Sequence, residues 1–395
     1  MLFKNIIYIK MENEEAQQLF VCDPVLIKDG VTPYTSYTLK GSKLPETLNR
    51  RYRDFDALRK KLVERWPGVF IPNIPHKKTI GSTDKGTVEL RIEQINRFLK
   101  KLSKIDYLFK SDEMELFLQN SSNIPKILDN IKEESYQDKL KKYCQVFTDY
   151  DENFDTIAGK TDQENFSKQL SIIYQNLRAF KNFIQGERER YSVFQKQYLA
   201  ILNLLSFYEK DVIKNLIGEN DDKLVLFNPQ NIDISKNIST AEENLINPYD
   251  RLFDSFTEDF LDAEAMQEAL EGLKNLRETY NKLTKNLTSV NVQLNDLQAG
   301  KTNVKNVLSF KNKEDNSNKL MIEKEKLEKD IDNLGQIIKI ATFNMQIQIK
   351  NFKSISLENY YKELRLIQED TERNAKIIDT LWDSVIKDKN ISEYN

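Results

Sequence analysis

The chain has 395 residues, of which 39% are apolar and 31% charged, with only 11 Gly and 9 Pro. That is long enough for two or three domains with real cores, and the balance suits long solvated helices better than sheets joined by many turns. One histidine (His76) and two distant cysteines (Cys22 and Cys144) argue against a metal cluster or a disulfide framework, and a net charge of -3 argues against a nucleic-acid partner. The charge is uneven: residues 1–120 hold 21 Lys+Arg against 16 Asp+Glu, and the rest 38 against 46, so the amino-terminal part is the better match for an anionic surface.

Residues 1–18 are an amino-terminal extension or an extra strand. Their opening Met1–Lys10 stretch is too short and interrupted to cross a bilayer, and no later run approaches the ~20 apolar residues a spanning helix needs. Leu19–Cys22, Tyr34–Leu39 and Leu48–Tyr52 read as strands of a small antiparallel sheet, separated by turn residues at Asp29-Gly30 and Gly41-Ser42. Phe55, Leu58 and Leu62 then share one helical face, ended by Trp66-Pro67-Gly68, and Pro72 and Pro75 impose a stiff extended loop. Val88, Ile92, Ile95, Leu99 and Leu102 mark a second helix, and Ser111 caps a third that buries Met114, Phe117 and Leu118.

Residues 121–149 are a linker in which Ile124, Ile127, Leu128 and Ile131 fall on one side, either a membrane-inserting amphipathic helix or a segment packed on the long helices that follow. From 150 to 390 three stripes stepping by threes and fours run from Phe166 to Val212, from Phe253 to Leu297 and from Leu320 towards Trp382, the pattern of helices packed in coiled-coil geometry. Helices of ~65 residues at 1.5 Å per residue predict an elongated arrangement on the order of 100 Å long. Connections are expected at Gly218–Asn247 and Lys311–Asn318.

The chemistry concentrates in Arg50-Arg51-Tyr52-Arg53-Asp54-Phe55, the Pro72–Lys77 loop and Arg91. Guanidinium groups give phosphate planar bidentate charge, an ammonium gives a point charge, and a tyrosine ring offers a flat floor to a sugar. Arg50, Arg53 and Lys78 read as solvated charges, Phe55 as core and His76 as an exposed side chain. No carboxylate pair, activated nucleophile or metal set suggests an enzyme. Gly300-Lys301-Thr302 is not a phosphate loop, because Asn295 stands where the first glycine belongs.

In this order and spacing, the motifs over Leu19–Asn120 resemble the PX (phox homology) domain, an α+β fold with a three-stranded antiparallel sheet. The resemblance implies a pocket for phosphatidylinositol 3-phosphate, with Arg51 on the 3-phosphate, Tyr52 under the inositol ring, Lys77 on the 1-phosphate and Arg91 on the 4- and 5-hydroxyls. Ile71 departs from the proline common there. The helical remainder resembles a three-helix BAR domain, and PX followed by BAR is the arrangement of the sorting nexins. That likeness implies a peripheral protein of endosomal membranes, without cofactor or enzymatic activity, that pairs as a homodimer or with another BAR-containing sorting nexin to sense or form curved membrane. Arg188, Arg190, Lys311 and Lys313 are candidates for its membrane-facing side. The alternative reading is a coiled-coil adaptor whose PX-like module binds protein without lipid selectivity.

Overall fold

The computed structural model describes residues 19–28, 33–41, 44, 48–74, 85–119, 123–217, 234–299 and 313–386. In chain order the elements are β1 (Phe20–Ile27), β2 (Tyr34–Lys40), β3 (Asn49–Arg51), α1 (Tyr52–Arg65), α2 (Lys85–Leu102), α3 (Asp106–Phe109), α4 (Asp112–Leu118), α5 (Ile124–Asp129), α6 (Tyr136–Val146), α7 (Thr156–Tyr208), α8 (Lys214–Ile217), α9 (Ile234–Asn244), α10 (Pro248–Gln298) and α11 (Lys313–Ile386), with a π-helical turn at Glu209–Ile213. The chain divides into two compact units, residues 1–171 with 261–350 and residues 172–260 with 351–395.

In the first unit the sheet has the order β1-β2-β3 and is antiparallel throughout. β1 runs on to Ile27, further than the sequence suggests. A register shift between Cys22 and Val25, with Asp23 at φ 46°, absorbs Pro24 on an edge strand where a missing N–H interrupts little. Tyr52 opens α1 rather than closing β3, because the Asp54 carboxylate accepts from the Arg51 amide at 2.9 Å and satisfies a donor at the helix start. Phe55, Leu58 and Leu62 are fully buried, with Phe55 against Phe117 at 5.2 Å between ring centres. The α2 face of Val88, Ile95, Leu99 and Leu102 is buried as its spacing predicts, and the Ser111 hydroxyl accepts from the Met114 amide at the head of α4.

Two features of this unit correct the sequence reading. Arg50 is no solvated charge: it is 2% exposed and donates to the carbonyls of Phe117, Gln119 and Asn49. The apolar side of the 124–132 segment is turned inward: Ile124, Pro125 and Leu128 are buried, and Ile127 and Ile131 half-buried, where α5 packs on α1 and α4.

α6 docks on the end of α1 through a mixed aromatic and ionic cluster. The Tyr143 hydroxyl donates to the Pro67 carbonyl at 2.7 Å, and the Lys142 ammonium lies 4.3 Å from the centre of the Trp66 ring. Glu134 accepts from Lys142 at 2.6 Å and from Arg65 at 2.5 Å. Burial alone pushes the Glu134 carboxyl up, but the two cations outweigh it and hold it below its ordinary value. A depressed carboxyl adds stability that is complete above the unfolded value of about 4.3 and is lost as pH falls through the lower folded value. An acid titration of the unfolding midpoint is therefore expected to drop more steeply below that pH in the native chain than in Glu134→Gln; identical acid limbs would remove this contribution.

The long helices meet the sheet-bearing part within the same unit. Gly68, at φ +81°, abuts Gly272 of α10 so closely that a Cβ on Gly272 would stand 3.0 Å from the Gly68 nitrogen. A polar layer joins three helices: Gln163 of α7 donates to the Thr342 carbonyl of α11 at 2.8 Å, and Arg277 of α10 donates to Gln163 at 2.6 Å and to the Thr342 hydroxyl at 3.1 Å.

In the second unit α7 and α10 share the Tyr174–Phe260 stack, 4.7 Å between ring centres, and α10 and α11 are tied by Arg251 and Asp370 at 2.7 Å. The expected Gly218–Asn247 connection contains the helix α9, whose Ile238 and Ala241 pack on Leu199, Leu202 and Leu381. The other expected connection, Lys311–Asn318, is also corrected, since helix α11 begins at Lys313; Lys311 lies outside the described residues. Arg188 and Arg190 are not unpaired surface charges, because they engage Asp250 and Glu187.

Candidate functional site

β-Strand alternation decides what the two adjacent arginines do. Arg50 pairs with Tyr37 across the β2–β3 ladder and Arg51 with Ser36, so the two side chains leave opposite faces of the sheet. Arg50 enters the core, where burial lowers its pKa and carbonyl oxygens surround it. Arg51 emerges on the other face with its side chain 34% exposed. Its guanidinium carbon lies 5.0 Å from the centre of the Tyr34 ring, the diagonal neighbour on β2. The Asp54 carboxylate is only 3.9 Å from the Arg51 Nε at its nearest and is committed to the Arg51 amide.

Tyr52 follows at the first turn of α1 and is half-buried. The guanidinium of Arg91 lies over its ring at 4.8 Å, so the flat floor expected from the sequence is shared with a cation. Burial, with the Asp56 charge, pushes the Tyr52 hydroxyl up to about 12 against the opposing pull of Arg91 and Arg59, which keeps it protonated and able to donate. Arg91 itself is buried because it lies on α2 one turn before Ile95, on the face turned to the sheet. It also neighbours Tyr37, whose hydroxyl is raised by burial with Arg91 opposing.

Of the four residues singled out in the sequence, Tyr52 and Arg91 are in contact and Arg51 directly precedes Tyr52. Lys77, like His76 and Lys78, lies outside the described residues. Tyr34 was not singled out. The signal was available, since Tyr34 and Ser36 fall on one face of β2 and an aromatic there reaches the arginine opposite. No group of His, Cys, Asp and Glu among the described residues could hold a metal ion, and no described helix is long and apolar enough to cross a membrane.

Residues 39–121 match the PX domain family model. Sorting nexin 1 of Arabidopsis thaliana is 26% identical over 204 residues, covering 47% of this chain and 49% of that protein. Vacuolar protein sorting-associated protein vps5 of Schizosaccharomyces pombe is 30% identical over 116 residues, 27% of this chain and 20% of that one. Sorting nexin-30 of Xenopus tropicalis is 39% identical over 80 residues, 19% and 18% of the two chains. The matched part thus spans half or less of these relatives' lengths. Among solved structures, the SNX-BAR Mvp1 tetramer determined by cryo-EM superposes with a TM-score of 0.54 at 16% identity, over 93% of this chain and 99% of that one, a likeness of fold.

Fold and motif together therefore define a PX-domain protein, with a three-stranded sheet and helices followed by long helices. Its architecture, a sheet-bearing part followed by long helices, is like that of the SNX-BAR structure.

Proposed function

We propose that the chain is a peripheral membrane protein that binds phosphatidylinositol 3-phosphate through Arg51, Tyr52, Lys77 and Arg91, and that it works as a BAR-type dimer on curved endosomal membrane during sorting. The observation that carries this reading is Arg51, raised on the face opposite Arg50, partly open to solvent, over the Tyr34 ring and next in sequence to Tyr52, whose ring Arg91 covers. A guanidinium so placed offers a phosphate two parallel charge-assisted hydrogen bonds, and an adjacent ring with a protonated hydroxyl suits a polyol.

Pairing is supported by what the second unit leaves in water. Phe183 and Phe207 of α7 are 61% and 62% exposed, and Phe194 and Leu204 beside them and Tyr361 on α11 are also open. Exposed apolar surface gains about 25 cal/mol per Å² when covered, and a second chain presenting the same residues covers it symmetrically. The double substitution Phe183→Asp with Phe207→Asp is expected to move the mass measured by light scattering from two chains to one. A mass unchanged at two chains would place the pairing surface elsewhere, and a native mass of one chain would remove it.

Dimerisation matters for affinity, because a single headgroup pocket is weak and two pockets on one particle can raise apparent affinity by ~10²-fold or more. The test is sedimentation of the full chain with liposomes that differ only in containing phosphatidylinositol 3-phosphate or phosphatidylinositol. Preferential pelleting with the first is expected. Equal pelleting would favour the adaptor reading, in which the PX-like module recruits protein.

A further inference from the structure

A cluster beside the site ties the base of the proline loop to a helix far along the chain. Arg59, on α1 and 9% exposed, donates from Nε to the Pro72 carbonyl at 3.0 Å and from Nη2 to the Glu268 carboxylate on α10. Asn73 donates from Nδ2 to Glu264, one turn earlier on α10, at 3.0 Å, and its Oδ1 accepts from the Ile74 amide at 2.9 Å. Just upstream, the Phe70 amide donates to Gln348 of α11 at 2.8 Å. Pro72 and Ile74 are buried, so this short segment has its polar groups met by partners rather than by solvent. The charge of Arg59 also reaches the Tyr52 hydroxyl.

An arginine is suited to this place because its planar fork serves a carbonyl and a carboxylate at once, whereas a lysine is a single point charge. Glu264 and Glu268 stand four residues apart on one face of α10, so a single helix meets the loop directly at Asn73 and, through Arg59 of α1, at Pro72. The fold therefore does not leave residues 72–74 to set themselves against the sheet. Their position is shared with α10.

We propose that Arg59 is a positioning residue for the headgroup pocket, and that Glu264 and Glu268 make headgroup affinity depend on α10. This rests on the function proposed above. Two sites linked through one ordered segment typically influence each other by fivefold or more in affinity.

The test is binding of dibutanoyl phosphatidylinositol 3-phosphate to the full chain, a soluble probe that reads the pocket without membrane charge or avidity. The paired substitution Glu264→Gln with Glu268→Gln is expected to weaken binding by about fivefold, the low end of such coupling. The thermal unfolding midpoint should barely move, because the Glu268 side chain is 43% exposed. Arg59→Met should weaken binding further, and Arg59→Lys, which retains the ion pair but not the fork, should fall between. Unchanged affinity in the glutamine pair would overturn the inference, as would a loss of affinity that only tracked a falling midpoint across the variants. Absence of binding by the native chain would overturn the function itself and this inference with it.

Discussion

Replacing Arg51 with alanine is expected to erase the difference in sedimentation between liposomes with and without phosphatidylinositol 3-phosphate. Charge-assisted hydrogen bonds contribute about 1.5–3 kcal/mol each, so the lost selectivity should be roughly 10- to 100-fold. The change should leave the sheet intact. Arg51 packs over Tyr34 on the open face, and the cap that starts α1 uses its backbone amide rather than its side chain. Arg53→Ala is the control: Arg53 is exposed one position beyond Tyr52, and its loss should trim non-specific attraction to anionic lipid while leaving the preference for the 3-phosphate. Selectivity surviving in the Arg51 variant would place the phosphate elsewhere.

The neighbouring arginine should behave in the opposite way. Arg50→Met keeps most of the buried volume but strips the Phe117, Gln119 and Asn49 carbonyls of their donor. Of the three, the Phe117 carbonyl is the buried one, while Asn49 and Gln119 are exposed; a buried acceptor left without a partner costs about 1–3 kcal/mol, so a loss of that order is expected. Thermal or denaturant unfolding should show a clearly lowered midpoint for the sheet-bearing part, and the fraction that still folds should keep its lipid preference. An unchanged midpoint would contradict the role assigned to Arg50 in the core.

Much of this arrangement was legible because it is local. The strand ends, the α1 and α2 faces and the Ser111 cap are set by spacings within a few residues, and the three long stripes announce three long helices. Arg50 could also have been read: a strand sends consecutive side chains to opposite faces, so two adjacent arginines cannot both be solvated beside a sheet whose other face is core. The inner one hid because two of its three carbonyl partners, Phe117 and Gln119, lie more than sixty residues away and backbone carbonyls carry no sequence signature. α9 was hidden by its composition, since the Asn and Ser in Ile234–Asn244 favour turns, and only the packing of Ile238 and Ala241 on α7 and α11 makes that stretch a helix. The links from Asn73 to Glu264 and from Arg59 to Glu268 lie beyond any local pattern for the same reason. The stripes likewise could not say which of their apolar residues a single chain covers: Phe166 and Leu170 are buried, while Phe194 and Ile201 are open.

The meeting of Gly68 with Gly272 has a mechanical consequence. Where two backbones touch, adhesion depends on the absence of a side chain, and a single added methyl acts as a wedge with no flexible neighbour to yield before it. The wedge would enter only four residues from Pro72 along the chain and four from Glu268 along the helix. A substitution carrying neither charge nor function could therefore loosen the grip on the loop as surely as removing its carboxylates.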